Sequence, residues 1–284
     1  MKIATQIVHP EPSENTTRQK APGKATGSVT GNWLYGGSTI VFLVIAWYLA
    51  ARYEMINRTL MPSPSEVWYA FVELSGNGEL VEHISASMYR IIAGLILGFV
   101  TAVPMGLLIA RNRWVKAFLE PLIEIIRPIP ALAFLPLAIL WFGVGEPSKL
   151  FIMWFGTFFV IIVSVIEGVY NFDVVYIKVA KNLNASERQI FYRVLLPGIL
   201  PFILEGNRQA VATAFRVVVS AEMIAAQTGL GFLIMNSAIF YQTDRVIVGI
   251  IVLAVLGMLC DRFLIILTRK VFLKYKAEPG EIAV

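Results

Sequence analysis

Six stretches of this sequence are apolar over a length that few folds can use. They run at about Trp33–Ala51, Ile84–Ala110, Phe118–Phe142, Leu150–Tyr170, Ile199–Ala225 and Val246–Leu267. A helix needs about 20 such residues to cross a bilayer. Composition agrees: 57% of residues are hydrophobic and 15% charged, against about 45–50% and about 25% in soluble domains. Mean hydropathy is +0.70. The fold class expected is an all-α integral membrane protein with six transmembrane helices.

The segments between the spans set its organisation. Residues 1–32 are polar and rich in Pro, Thr, Ser and Lys, and read as a disordered cytoplasmic tail. Residues 33–59 hold the first span, with Trp33, Tyr35, Trp47 and Tyr48 as interfacial aromatics, and the start of an external loop. Residues 60–270 carry the other five spans, and 271–284 form a basic cytoplasmic tail. Gly94, Gly98 and Gly106 in the second span predict close helix contact. Pro121, Pro128, Pro130 and Pro136 predict that the third span is not straight. With six spans both termini share a side, whose segments carry sixteen Lys and Arg against four on the other. The positive-inside rule makes that side cytoplasmic.

Several chemistries are excluded. The single cysteine, Cys260, lies in an apolar run, and His9 and His83 are far apart, so neither a disulfide framework nor a metal site is expected. No glycine loop with a following Lys is present to cradle phosphate, so this chain is not expected to hydrolyse ATP itself, and no cofactor is expected. The net charge of +5 is scattered in short clusters, which suits a basic membrane face rather than nucleic acid.

One polar, basic segment interrupts the apolar pattern, from Ala180 to Pro197. Asn184 is placed to cap a helix, with Glu187 completing a capping box. Glu187, Ile190, Phe191 and Val194 share one helical face, while Gln189, Tyr192 and Arg193 point elsewhere. Pro197 and Pro201 mark the end of this short amphipathic helix. By pattern alone it either docks a partner or lies in lipid headgroups.

This segment resembles the EAA loop of ABC-importer permeases, whose pattern is Glu-Ala-Ala, three residues, Gly, nine residues, Ile, any residue, Leu-Pro. Aligned on Leu196-Pro197, the Ile position is Val194 and the Gly position Asn184, while Lys178, Val179 and Ala180 stand at Glu-Ala-Ala. Asn tolerates the left-handed backbone that Gly would adopt there. Leu60-Met61-Pro62-Ser63-Pro64-Ser65-Glu66-Val67 and the run from Arg127 to Lys149, including Trp141-Phe142-Gly143-Val144-Gly145-Glu146, are similar to segments of permeases for nitrate, sulfonates and taurine. Ala221-Glu222-Met223 and Gly229-Leu230-Gly231-Phe232 fit the same family's fifth-span exit.

The resemblance implies a type I ABC-importer permease, with residues 60–270 as its domain, in a bacterial inner membrane. It implies a homodimer, two cytoplasmic ATPase chains, an external solute-binding protein and a small, anionic solute. The 173–197 segment becomes a coupling helix between spans four and five. Ala180, Asn184, Ala185, Glu187, Arg188, Ile190, Phe191, Arg193, Leu196 and Pro197 are its candidate contacts, with Ile190 and Phe191 as apolar anchors and Arg188 and Arg193 facing carboxylates.

Ionisable residues within spans are costly and each needs a reason. Glu120, Glu124 and Arg127 share a face of the third span, with Glu124 and Arg127 spaced to pair, and Arg208, Arg216 and Ser220 align on the fifth. Candidate pathway residues are Glu124, Arg127, Pro128, Pro130, Arg216, Ser220 and Glu222, with Arg127 and Arg216 drawing in an anion. The competing explanation is that these charges pair with neighbouring helices. Arg90 is expected to snorkel to the outer surface, and Asp261 to pair with Arg262. An ion-driven secondary transporter is the rival class; it predicts inverted repeats and a mid-membrane carboxylate site.

Overall fold

In the computed structural model the described residues are 29–53, 57 and 60–275, and every regular element among them is helical. The expected tail therefore falls largely outside the described residues, as do the side chains of Trp33 and Tyr35. The first helix, α1 (Val29–Arg52), begins inside the segment expected to be disordered. It is treated by itself here, since residues 1–47 form a unit separate from residues 48–284.

The remaining helices are α2 (Pro64–Gly76), α3 (Glu79–Arg111), α4 (Arg113–Ile126), α5 (Leu135–Phe142), α6 (Glu146–Tyr170), α7 (Val174–Asn182), α8 (Glu187–Ile190), α9 (Leu196–Ala225), α10 (Leu230–Ile239) and α11 (Thr243–Tyr275). Four segments are long and apolar enough to cross a membrane: Glu79–Arg111, Glu146–Tyr170, Glu187–Ala225 and Thr243–Thr268. A fifth is broken: Arg113–Ile126 and Ala131–Phe142 meet at 94°. The apolar part of α1 described at side-chain level covers only Val41–Arg52, so among the described residues four spans and one bent span are established, and the first of the six expected spans is described only in part.

The bend has a local cause. Pro128 and Pro130 lack the N–H groups a continuing helix needs, and Pro130 drives Ile129 out of the helical region. Ile129 N donates to Ile126 O at 3.0 Å, closing a last turn before the chain changes direction. Pro136 then enters α5 near its start, where its missing N–H costs nothing.

α3, α6 and α9 form the centre. Lipid tails supply no hydrophobic drive between helices, so packing and small residues hold them together. Gly94 of α3 lies against Met153, Gly98 against Thr157 and Gly106 against Val165 of α6. On the other flank Gly206 of α9 lies against Ser164, and Gly168 of α6 against Phe202. Ala102, Ile109, Ile161, Ile162, Val165, Ile199 and Ala210 fill the space between them, fully or almost fully buried. A second cluster joins Ile91, Met153, Val211, Ala214 and Val218, and a third seats Leu135 and Ala138 of α5 on Ile152. α11 lies outside, with only 6% of its apolar window buried; Ile251, Met258 and Phe263 are exposed, as lipid-facing residues are.

The segment expected to be a loop between spans one and two holds α2, begun by a capping box between Ser63 and Glu66. The basic tail also differs from expectation, since α11 continues unbroken to Tyr275.

Candidate functional site

The polar segment after α6 folds as two short helices on a tight turn. Asp173 Oδ1 accepts from Val175 N at 2.9 Å and starts α7. Asn184 takes a left-handed conformation, φ 56°, and Ala185 N donates back to Ala180 O at 3.0 Å. Asn184 is thus the hinge, and the cap is Ser186: Gln189 N donates to Ser186 Oγ at 3.3 Å and Ser186 N to Gln189 Oε1 at 2.8 Å. The expected Asn184/Glu187 box is corrected to Ser186/Gln189, the same spacing two positions on. Glu187 instead meets Lys181 at 3.2 Å, bridging the two helices.

Nor do the prolines end the helix. From Phe191 to Leu195 the backbone widens into one π turn, with Leu196 N bonded to Phe191 O. Widening relieves the clash that Pro197 would make in an α turn. The helix then runs on through Pro197 and Pro201, so Glu187–Ala225 is one span of 39 residues.

Burial sorts the candidate contacts. Ile190 and Ala180 are buried in the chain's own packing, so Ile190 is no outward anchor. Phe191 is half-buried, lining a cavity of about 370 Å³ with Leu107, Val169, Phe172 and Ile177, and the Arg111 guanidinium lies 5.7 Å from its ring centre. Glu187, Arg188 and Arg193 are exposed, Leu196 and Pro197 half-buried. The outward apolar residues are ones the pattern did not single out: Leu183 (76% exposed), Tyr176, Val179 and Tyr192.

Of the pathway candidates, Glu124, Arg127, Pro128 and Pro130 are exposed around the bend; the Glu124–Arg127 ion pair does not form. Arg216 is exposed and donates to Thr213 Oγ1 at 3.1 Å, while Ser220 Oγ donates to Arg216 O at 3.2 Å. Arg208 pairs across helices with Asp261 at 2.7 Å and lies 3.9 Å from Glu205. Asp261 therefore bonds directly to Arg208 of α9, while the expected neighbour Arg262 adds charge attraction.

The largest departure is at the opposite end of α3, α6 and α9. Arg90 is 2% exposed and does not snorkel. Its Nε and Nη2 donate to Glu146 at 2.8 and 2.6 Å. Nη1 donates to Glu222 Oε1 at 2.6 Å and Thr228 O at 2.7 Å, and Nη2 also to Thr228 Oγ1 at 3.3 Å. All five guanidinium donors are used. Glu222 is wholly buried, so it faces this network and not an open route. Its oxygens accept from Ser87 Oγ at 2.9 and 2.8 Å and from Gly231 N at 2.9 Å. The last bond puts the carboxylate at the positive N-terminus of α10. Gly229, at φ 122°, passes so near the carboxylate that a Cβ there has no room. His83 Nδ1 accepts from Gly229 N at 3.1 Å, and Lys149 Nζ meets Glu146 at 2.8 Å.

Comparison with known proteins follows the same lines. The family described as "Binding-protein-dependent transport system inner membrane component" matches residues 94–273. The taurine transport system permease protein TauC of Escherichia coli K12 is 34% identical over 237 residues, 82% of this chain and 86% of that protein. The putative aliphatic sulfonates transport permease protein SsuC of the same organism is 37% identical over 221 residues, 78% and 84% of the two chains. The nitrate import permease protein NrtB of Synechocystis sp. is 27% identical over 234 residues, 79% and 84%. Among solved structures, a chain of the inward-facing MetNI methionine ABC transporter superposes with TM-score 0.59 at 21% identity, covering 68% of this chain and 95% of that one.

Proposed function

Because this chain belongs to the family of binding-protein-dependent transport system inner membrane components, we propose that it forms the translocation route of an ATP-driven importer and takes its power stroke through residues 173–197. As a multi-pass inner-membrane transport component it is a permease and not an enzyme, and the secondary-transporter reading is set aside. A separate cytoplasmic ATPase supplies hydrolysis, an external binding protein delivers the solute, and two copies of this permease enclose the route. Residues 60–270 are the permease domain. The positive-inside count orients the termini and the 173–197 segment toward the cytoplasm.

The observation that carries this reading is the form of that segment. Leu183, Val179, Tyr176 and Tyr192 present apolar surface beside Arg188 and Arg193, a composition suited to a protein groove with an acidic rim. The same segment continues without a break into a central span, so a push on it reaches the membrane interior as rigid-body motion. Ala180, Ala185, Asn184 and Glu187 hold its turn, and Leu196 and Pro197 join it to α9. The solute is a small anion of the sulfonate or nitrate kind, as for the relatives, drawn by Arg127 and Arg216 along a face with Glu124, Pro128, Pro130 and Ser220. Glu222 serves that route from behind, by fixing α9.

The test is the composition of the complex purified in mild detergent from its native host. Two copies of this chain with two ATPase chains are expected. The chain alone, with uptake driven by an ion gradient in vesicles, overturns the reading.

A further inference from the structure

We infer that the cavity of about 370 Å³ behind Phe191 is a binding site for an anionic phospholipid, with an acyl chain inside and the phosphate on Arg111. Leu107 of α3, Val169 of α6, Phe172 after it, Ile177 of α7 and Leu195 of the π turn line the space with Phe191. Arg111, at the last turn of α3, is the charged residue of the lining. None of the residues assigned above to the solute route lines it. The site goes beyond the importer reading and shares with it only the positive-inside orientation, which puts these span ends at the cytoplasmic headgroups.

Two features of the cavity call for an amphiphile. The first is its apolar volume. Protein interiors hold few voids larger than a water molecule, and an apolar space of about 150 Å³ already stays dry and takes up hydrocarbon. This one falls within the about 300–1,000 Å³ of small-molecule sites, and its aliphatic and aromatic walls suit a stretch of acyl chain. The second feature is an uncommitted cation at the same place. Arg111 is exposed, and among the described residues no carboxylate or other acceptor engages it; its guanidinium lies over the Phe191 ring, 5.7 Å from the centre. A guanidinium stacked on a ring keeps its N–H edge free to hold two phosphate oxygens side by side. Lys116 is already engaged, with Nζ 3.7 Å from Glu120 and 4.2 Å from the Tyr170 ring centre. Leu108, Trp114 and Phe118 are exposed around this end of α3 and α4, as lipid-facing and interfacial residues are, so the occupant comes from the bilayer. A soluble anion would use Arg111 and leave the cavity empty. A zwitterionic lipid would bring a cation of its own against Arg111. An anionic phospholipid satisfies both features, and once bound it braces Phe191 and the root of the 173–197 segment against α3.

The test counts lipids on the assembled complex. Native mass spectrometry in mild detergent follows a titration with phosphatidylglycerol, and a second with phosphatidylcholine of the same chains. The tightest site on the parent is expected to prefer phosphatidylglycerol about tenfold, the effect of one hydrogen bond to a charged group. Arg111→Gln should bring the two lipids level. Arg113→Gln alters an exposed residue that lies 5.0 Å from the Trp114 ring centre, outside the cavity, and should keep the preference within about twofold. Ala110→Phe, which fills the cavity, should exclude both lipids; if it fails to assemble with its partners, the two arginine variants still decide the matter. Equal binding of the two lipids by the parent, or a preference that survives Arg111→Gln, overturns the site. So does a preference lost equally with Arg113→Gln, which would mean diffuse surface attraction. Displacement of phosphatidylglycerol by glycerol phosphate alone would make the ligand a soluble anion, and overturns it too.

Discussion

Arg90 and Glu222 are 132 positions apart in the sequence, and their side chains meet at 2.6 Å with both residues buried. The contact ties the start of α3 to the end of α9, and through Glu146 to the start of α6. Breaking one side of a buried pair strands the other charge, at a cost of about 3–5 kcal/mol. Arg90→Ala and Glu222→Ala are each expected to lower the thermal stability of the purified complex by that order. The double variant should fall well short of the sum. Additive losses measured by thermal unfolding in detergent would show that the two residues act independently.

The left-handed turn at Asn184 makes a sharper prediction about residue type. A β-branched side chain at φ 56° is strained by about 1–2 kcal/mol, whereas glycine is not. Asn184→Gly is expected to preserve transport and stability within about 1 kcal/mol, and Asn184→Val to weaken ATPase attachment. Retention of the ATPase on a tagged Asn184→Val permease, matched to the parent, would remove the turn from the coupling role.

At the coupling surface the test contrasts outward and inward residues. Leu183→Asp and Tyr192→Asp should leave the chain in the membrane and reduce ATP-linked uptake about tenfold or more, the effect of losing an apolar anchor. Ile190→Asp should instead reduce the amount of folded protein, because Ile190 is 5% exposed. Normal uptake by the first two variants, measured in vesicles with ATP inside, would refute docking through this face.

Helix contact in the centre depends on the absence of side chains. A Cβ at Gly98 would collide with Thr157 and crowd the backbone nitrogen of Phe158. Gly98→Leu is expected to cost about 3 kcal/mol or more, seen as loss of the assembled complex on size-exclusion chromatography. Gly76, which has open space around it, should accept Ala with little effect. Equal tolerance at both positions would contradict the packing described.

Arg216 probes the route. It is exposed, and among the described residues its side chain is held only by Thr213, so Arg216→Gln should leave stability unchanged and slow uptake of an anionic solute several-fold, the loss of one charged contact. An unchanged maximal rate would place the route elsewhere.

Much of this was legible in the sequence because it is local. Apolar length announced the spans, Pro128 and Pro130 the bend, and Asn184 the left-handed turn. What escaped was partnership between distant segments. Arg90 looked like a residue at a span end, and nothing near it in the chain hinted at Glu146, 56 positions on. The adjacent Arg262 is visible beside Asp261 in the sequence, but its hydrogen-bonded partner, Arg208, lies one helix away. The cap was misplaced by two residues because Asn184/Glu187 and Ser186/Gln189 have the same spacing, and only the backbone decides which residue takes the left-handed turn. Pro197 read as a stop, since a sequence pattern does not reveal that a π turn will absorb it.

The glycine contacts along α3 have a mechanical consequence. With 33 residues at 1.5 Å each, α3 is a rod of about 50 Å, and its contacts at Gly94, Gly98 and Gly106 leave α6 no room to slide along it. A rod of that length, tilted from one end, moves its other end by about 0.9 Å per degree. On the proposed coupling, a small rotation imposed beside residues 173–197 would be delivered, enlarged and without slack, to the end where Arg90 is clamped.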